Sequence, residues 1–183
     1  DFTFAVEICE DFWAPLPPST RQALAGARIL LNLSASNIVI GKAEERALLC
    51  ASQSAHAMAA YVFTASGWGE STTDLAWDGQ ATIHELGAKL AEGERFSMES
   101  HLTIADIDVA RIGLERLRTG TFADCAKAEL REDRFTHLGF TAREDAAADL
   151  LRHLDRFPFV PDDPARLDQD CYEAFNIQVQ GLM

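Results

Sequence analysis

The sequence predicts an α/β fold, and three observations carry that expectation. The apolar run Phe2-Thr3-Phe4-Ala5-Val6 is followed by Ser19-Thr20-Arg21-Gln22, an N-cap with glutamine three residues on, as in a capping box. A second compact apolar run, Arg28-Ile29-Leu30-Leu31-Asn32-Leu33, comes next, so strand, helix and strand alternate as in a βαβ unit. Finally, 183 residues that are 48% hydrophobic suffice for one domain with its own core.

The elements follow in order. The first strand ends near Ile8, and Trp13-Ala14-Pro15-Leu16-Pro17-Pro18 forms a loop into a short helix that ends about Gly26. Arg28 to Leu33 has the continuous apolarity of a strand buried on both faces. From Lys42 the spacing of Leu48, Ala51, Ala55, Met58 and Val62 predicts a helix with that face buried, yielding near Ala60 to a strand at Tyr61-Val62-Phe63-Thr64. Ser66 to Asp74 reads as a long loop. Gln80 to His84 and Lys89 to Glu92, separated by a segment with Gly87, predict a hairpin. The alternation in Leu102-Thr103-Ile104-Ala105-Asp106-Ile107-Asp108 predicts a half-buried strand, and a helix through Ile112, Leu114 and Leu117 is expected to end near Gly120. Beyond it, Thr141-Ala142-Arg143-Glu144 is a second capping-box pattern, opening a helix with Ala147, Leu150, Leu151 and Leu154 on one side. Phe157-Pro158-Phe159-Val160-Pro161 is a stiff crossing, after which Asp163 as N-cap and Pro164 as first residue start a last helix through Leu167, Cys171, Ala174 and Phe175.

Composition excludes several function classes. The formal charge of -13 comes from 29 acidic against 16 basic residues, and no basic stripe with interleaved aromatics provides the phosphate neutralisation that nucleic-acid binding needs. No apolar run reaches the roughly 20 residues of a bilayer crossing. Cys9, Cys50, Cys125 and Cys171 are widely spaced, without a C-x-x-C metal pattern, and read as free thiols in a reducing, cytoplasmic setting. No metal site is expected.

The residue with chemical potential is Cys9, in Glu7-Ile8-Cys9-Glu10-Asp11, where an apolar strand runs into a turn. A thiolate held there can attack a carbonyl, and the next backbone N–H can receive the oxyanion. By residue type alone a buried core cysteine is the commoner reading, and the neighbouring carboxylates of Glu10 and Asp11 raise a thiol's pKa, so an activating cation must come from elsewhere. His56 and His84 read as surface histidines of a helix and a strand, and the stretch from Trp68 to Asp78 as a structural brace or a domain interface. Only eight residues precede Cys9 and the chain begins with Asp1, so the chain is expected to be part of a longer polypeptide.

Ordered blocks carry a specific resemblance. Val6 to Asp11, Ala27 to Ser36 and Gly67 to Gln80 resemble the glutaminase domain of bacterial glutamine-dependent NAD synthetases, a domain of the nitrilase (carbon-nitrogen hydrolase) superfamily. Phe157 to Pro161 is similar to the linker of these enzymes, and Asp168-Gln169-Asp170-Cys171-Tyr172-Glu173-Ala174-Phe175-Asn176-Ile177-Gln178-Val179 to the segment entering their synthetase domain.

The resemblance implies part of a nitrilase-type α-β-β-α sandwich with a C-terminal helical connector. Residues 1–120 would be the C-terminal portion of the glutaminase domain, 121–161 a connector, and 162–183 the opening helix of a synthetase domain. It implies Cys9 as the nucleophile acylated by glutamine, with a glutamate base and an oxyanion lysine that both lie upstream in the family. Glu7, two residues before Cys9, is too near in sequence to be that base. Substrate-binding roles are implied for Glu10, whose N–H would join the oxyanion hole, for Ser36, and for Lys42, a cation suited to an α-carboxylate where the family often has arginine. The implied partners are glutamine here, and ATP and deamido-NAD in the parent enzyme. No cofactor is expected on this chain itself, since it lacks an S-G-G-x-D-S phosphate loop; ATP and Mg belong to the synthetase domain. This polypeptide alone is expected to be inactive, and exposure of half a sandwich makes a homo-oligomer or partner chain the expectation. A different carbon-nitrogen hydrolase and a non-catalytic interaction module remain as alternatives.

Overall fold

In the computed structural model of the chain, residues 1–129, 135–142, 149–154 and 160–182 are described. They divide into two units, Asp1–Ala148 and Asp149–Met183.

The first unit is built on a five-stranded sheet. Its strands are β1 (Phe4–Ile8), β2 (Ile29–Ser34), β3 (Ala60–Ala65), β4 (Ala81–Glu85) and β5 (Ala88–Glu92), lying in that order. The first three are parallel, with Ile8 beside Leu33 and Leu33 beside Thr64; β4 and β5 are antiparallel additions. The parallel pairs require crossovers, which α1 (Pro18–Leu24) and α2 (Lys42–His56) supply. The predicted hairpin is present, and it turns through Leu86 and Gly87 at φ 50° and 90°, the two positive values of a type I′ turn.

Register assigns the side chains to two faces. Ala5, Glu7, Leu30, Asn32, Ser34, Tyr61, Phe63, Thr82 and His84 share the face covered by α1 and α2. There Leu30, Tyr61 and Phe63 join Phe12, Ala23, Ala27, Cys50, Ala57 and Ala59 in the core. The opposite face carries Phe4, Val6, Ile8, Leu31, Leu33 and Val62, and Ile8 and Leu33 are 55% and 52% exposed. The second apolar run is therefore buried fully on one face only, contrary to the expectation of a doubly buried strand.

Two further helices among the described residues of this unit are α3 (Val109–Arg118) and α4 (Gly120–Glu129). Asp108 caps α3, its carboxylate accepting from Arg111 N at 2.8 Å. Arg116 on α3 donates to the carbonyls of Ala23 and Ala27, at and just beyond the end of α1, and of Ala57 and Met58, just beyond α2. Terminal helix carbonyls lack intrahelical partners, so one guanidinium completes both helix ends. Burial, and then the charge of Arg28, lower its pKa to about 10, which leaves it cationic at neutral pH.

Several sequence expectations are corrected. The cap of α1 is Pro17 and not Ser19, because Pro18 occupies the first helical position, where its fixed φ fits and its missing N–H costs nothing. Gln22 donates to Val6 O at 2.8 Å instead of completing a capping box. The buried stripe of α2 is Ala43, Arg46, Cys50 and Ser54, while Leu48 is 70% exposed. His84 is buried against the core and not on the surface. Leu102 to Asp108 forms no strand, and Gly120 starts a helix where one was expected to end.

The second unit contains α5 (Pro164–Leu182), starting where Asp163 and Pro164 predict. Asp163 Oδ1 accepts from Ala165 N at 3.0 Å, and Arg166–Asp170 and Gln169–Glu173 pairs run along the surface at four-residue spacing. The predicted helix opening at Thr141 falls largely on 143–148, and the crossing at Phe157 to Phe159 on 155–159; both stretches lie outside the described residues. The described remainder of that predicted helix, 149–154, is not helical.

Candidate functional site

Cys9 sits where β1 becomes a 3-10 turn, Cys9–Trp13. Its φ of 52° is left-handed, a conformation that costs a side-chain-bearing residue about 1–2 kcal/mol. Three features hold it there. Asp11 Oδ2 accepts from Ile8 N at 3.0 Å, tying the two sides of the bend. Phe12 is buried and packs on Tyr61 and Phe63, with ring centroids 5.4 and 5.6 Å apart. Asn32 Nδ2 reaches the Cys9 carbonyl at 3.4 Å, and Ser34 Oγ donates to Asn32 Oδ1 at 2.5 Å. The thiol itself is half-buried.

Beneath this bend lies Glu7, 2% exposed. Its carboxylate accepts from the Tyr61 hydroxyl and, at 2.8 Å, from Ser19 N. Burial first, and the Glu7 charge second, push the Tyr61 phenol well above its ordinary range, so it remains a donor. A carboxylate committed to two internal donors is a brace for β1 and α1. Cys50 is a core thiol that burial pushes up to about 12, which makes it inert at neutral pH.

The other predicted site residues cluster at the same end of the sheet, beyond the carboxyl ends of parallel strands, where α/β folds bind ligands. Glu10 is exposed in the 3-10 turn. Lys42 opens α2, donates to Asn37 Oδ1 at 3.0 Å, and lies 5.6 Å from the centre of the Trp13 ring, so it borders the Cys9 bend. Ser36 is buried, and its hydroxyl accepts from Arg46 Nη2 at 3.1 Å. Sequence reasoning missed Arg46, Asp78, Gln80 and Asn37, which organise this end. Arg46 was detectable: it falls in phase with Ala43 and Cys50, small residues spaced as one buried helix stripe.

The Trp68 to Asp78 stretch is tied by bonds to the loop after β2 and within itself. Ala76 O accepts from Ile38 N at 2.8 Å, Trp77 Nε1 donates to Ser71 O at 2.7 Å, and Asp78 reaches the interior. Gly67 and Gly79 meet closely enough that a Cβ on Gly67 would stand 3.3 Å from Gly79 Cα. A separate open concavity of about 600 Å³ is lined by Trp68, Met98, His101 and Thr103 and excludes Cys9, Ser36 and Lys42. Among the described residues no three His, Cys, Asp or Glu side chains converge as a metal site, and no helix is long and apolar enough to cross a membrane.

No family model matches the chain. It is, however, 56% identical over 185 residues to the glutamine-dependent NAD(+) synthetase of Mycobacterium tuberculosis, covering 99% of this chain and 27% of that protein. The chain is homologous to one segment of the glutamine-dependent NAD(+) synthetases. It spans about a quarter of the length of these curated relatives. Among solved structures, a carbon-nitrogen hydrolase from Helicobacter pylori matches 66% of this chain and 45% of its own, with TM-score 0.54 and 20% identity. A Saccharomyces cerevisiae member of the nitrilase superfamily matches 72% of this chain and 44% of its own, with TM-score 0.52 and 21% identity. The fold of the segment is thus α/β of the nitrilase type, and the bend at Cys9 belongs to a synthetase-homologous chain.

Proposed function

We propose that this segment supplies the nucleophile and part of the glutamine pocket of a glutaminase unit in a glutamine-dependent NAD(+) synthetase. The observation that carries this reading is Cys9 held at φ 52° at the carboxyl end of β1, a strained position braced by the bonds of Asp11 and Asn32 that leaves its side chain only partly buried. The Cys9 thiolate attacks the side-chain amide carbon of glutamine, and the carbonyl π electrons move onto oxygen. Collapse of the tetrahedral adduct breaks the C–N bond, with a proton delivered to the departing nitrogen, so ammonia is released and a γ-glutamyl thioester on Cys9 remains. Water then hydrolyses the thioester to glutamate and restores the thiol.

The Glu10 N–H is assigned to the oxyanion, the Glu10 side chain and Ser36 to the substrate's polar groups, and Lys42 to its α-carboxylate. The general base and the oxyanion lysine are assigned to residues outside this chain, so the isolated segment is proposed to be inactive. ATP, Mg and deamido-NAD are assigned to parts of the synthetase that this segment does not align with, since its sequence holds no glycine-rich phosphate loop. Residues 1–120 are assigned to the glutaminase domain, 121–161 to a connector and 162–183 to the opening helix of the synthetase domain. Cytoplasmic location and homo-oligomeric assembly complete the proposal.

The test is Cys9→Ala in the full-length synthetase. Glutamine-dependent NAD formation is expected to fall by at least about 1,000-fold, while ammonia-dependent formation stays within about twofold. Undiminished use of glutamine by the variant would remove Cys9 from the mechanism.

A further inference from the structure

The most heavily bonded side chain of the described residues near the site is one to which no role has been given. Arg46, on the second turn of α2, is 0% exposed. Its Nη1 donates to Asp78 Oδ1 at 2.9 Å, Asp78 Oδ2 at 3.2 Å and Gln80 Oε1 at 3.2 Å. Its Nη2 donates to Ser36 O at 2.8 Å, Ser36 Oγ at 3.1 Å and Asn37 O at 2.8 Å. Asp78 is shared with Arg95, whose Nε lies 2.8 Å from Oδ2, and Gln80 Nε2 donates to Ala43 O at 3.1 Å.

Stability alone does not account for this arrangement. Taking a guanidinium and a carboxylate fully out of water costs several kcal/mol per ion, and apolar residues of similar volume are often as stable or more so. The guanidinium also leaves Nε without a partner. What it does achieve is geometric. One edge of the planar fork is fixed by Asp78 and Gln80 before β4, and the other grips two successive carbonyls and the hydroxyl of the loop after β2. Residue Asn37, so gripped by its carbonyl, accepts from Lys42 Nζ through its side chain. Ser36 and Lys42 are thereby referred to one rigid point.

We propose that Arg46 is a positioning residue for glutamine: held by Asp78, it sets the Ser36 hydroxyl directly and the Lys42 ammonium through Asn37. This rests on the glutaminase reading above. A fork is required, because a lysine in its place offers a single point that cannot span Asp78 and two carbonyls. Asp78 and Gln80 thus gain a part in the reaction although neither is assigned a contact with substrate.

The experiment uses the full-length synthetase, the variants Arg46→Lys, Asn37→Ala and Lys42→Ala and the Asn37→Ala/Lys42→Ala double, with Cys9→Ala as reference. Arg46→Lys is expected to raise the glutamine KM roughly tenfold, with kcat changed less than about threefold and ammonia-dependent NAD formation unchanged. Asn37→Ala cuts only the side-chain link to Lys42 and leaves the Arg46 bonds to backbone in place; it is expected to raise the glutamine KM about threefold. That increase should vanish when Asn37→Ala is made in a Lys42→Ala background. An unchanged KM in Arg46→Lys, or equal losses of glutamine- and ammonia-dependent activity, reduces Arg46 to a structural residue. Should Arg46→Lys fail to fold, Asn37→Ala decides alone: an unchanged KM, or full additivity with Lys42→Ala, overturns the proposal. If Cys9→Ala retains glutamine use, the glutaminase reading itself has failed, whatever the KM values show.

Discussion

The two faces of the central sheet are loaded against intuition. The face covered by α1 and α2 carries Glu7, Asn32, Ser34, Thr82 and His84 among its apolar residues, whereas the opposite face carries Phe4, which meets the Phe140 ring, and Val6, Ile8, Leu31, Leu33 and Val62. Polar groups are buried only with partners, and here most are joined: Glu7 to Tyr61 and Ser19, Ser34 to Asn32, Asn32 to the Cys9 carbonyl. The covered face is therefore a scaffold for the bend at its carboxyl end. The opposite face has the composition of an interior, as expected of one sheet of a two-sheet sandwich, yet among the described residues Ile8 and Leu33 stay more than half exposed. One face is specified by hydrogen bonds, the other by hydrophobicity.

The comparison is broken most severely at Glu7. Glu7→Ala strands the Tyr61 hydroxyl and Ser19 N in the interior, and we expect a loss of about 3 kcal/mol in urea unfolding of this chain. A loss below about 1 kcal/mol would mean that the covered face does not depend on its polar links. On the other face, Ile8→Ser should cost less than about 1 kcal/mol, because much of that side chain is already in water. The same change should lower self-association and binding of a hydrophobic dye. A large destabilisation would show that the face is covered in the free chain.

The smallest effect concerns His84, whose pKa burial, and then Lys89, hold below the usual histidine value. Below about pH 6.5 the unfolded chain binds this proton more readily than the folded one. The contribution of His84 is thus complete above that pH and is lost as the pH falls through the lowered value. Between pH 7 and 5, His84→Gln should show a shallower decline in stability than the unaltered chain. Parallel declines would remove His84 from the acid response.

Strands are the legible part of this sequence. Short apolar runs bounded by turn residues identify β1, β2 and β3, and Gly87 marks the hairpin of β4 and β5, because strand burial and turn chemistry are local. Helix faces are less so. Leu48 outranks Arg46 on any hydrophobic scale, yet Arg46 is the buried one, since its partners Asp78 and Gln80 lie more than thirty positions away. His84 is misjudged for a similar reason: the core reaches it only through the pairing of β4 with β3. The alternation at Leu102 to Asp108 forms no strand. Of the candidate site, Cys9 is visible as a cysteine at a strand end, but its left-handed backbone and the loop clamp beside it depend on contacts formed across the fold.

The Arg116 clip has a consequence for the order of assembly. Its four carbonyl partners lie 58, 59, 89 and 93 positions earlier in the chain. The bonds to Ala23 and Ala27 need α1 ended in place and those to Ala57 and Met58 need α2, so the complete set of four follows the β1 to β3 crossovers. Loop-closure entropy makes such distant contacts late ones. The third helix is accordingly a latch that registers the completion of the parallel core and does not nucleate it.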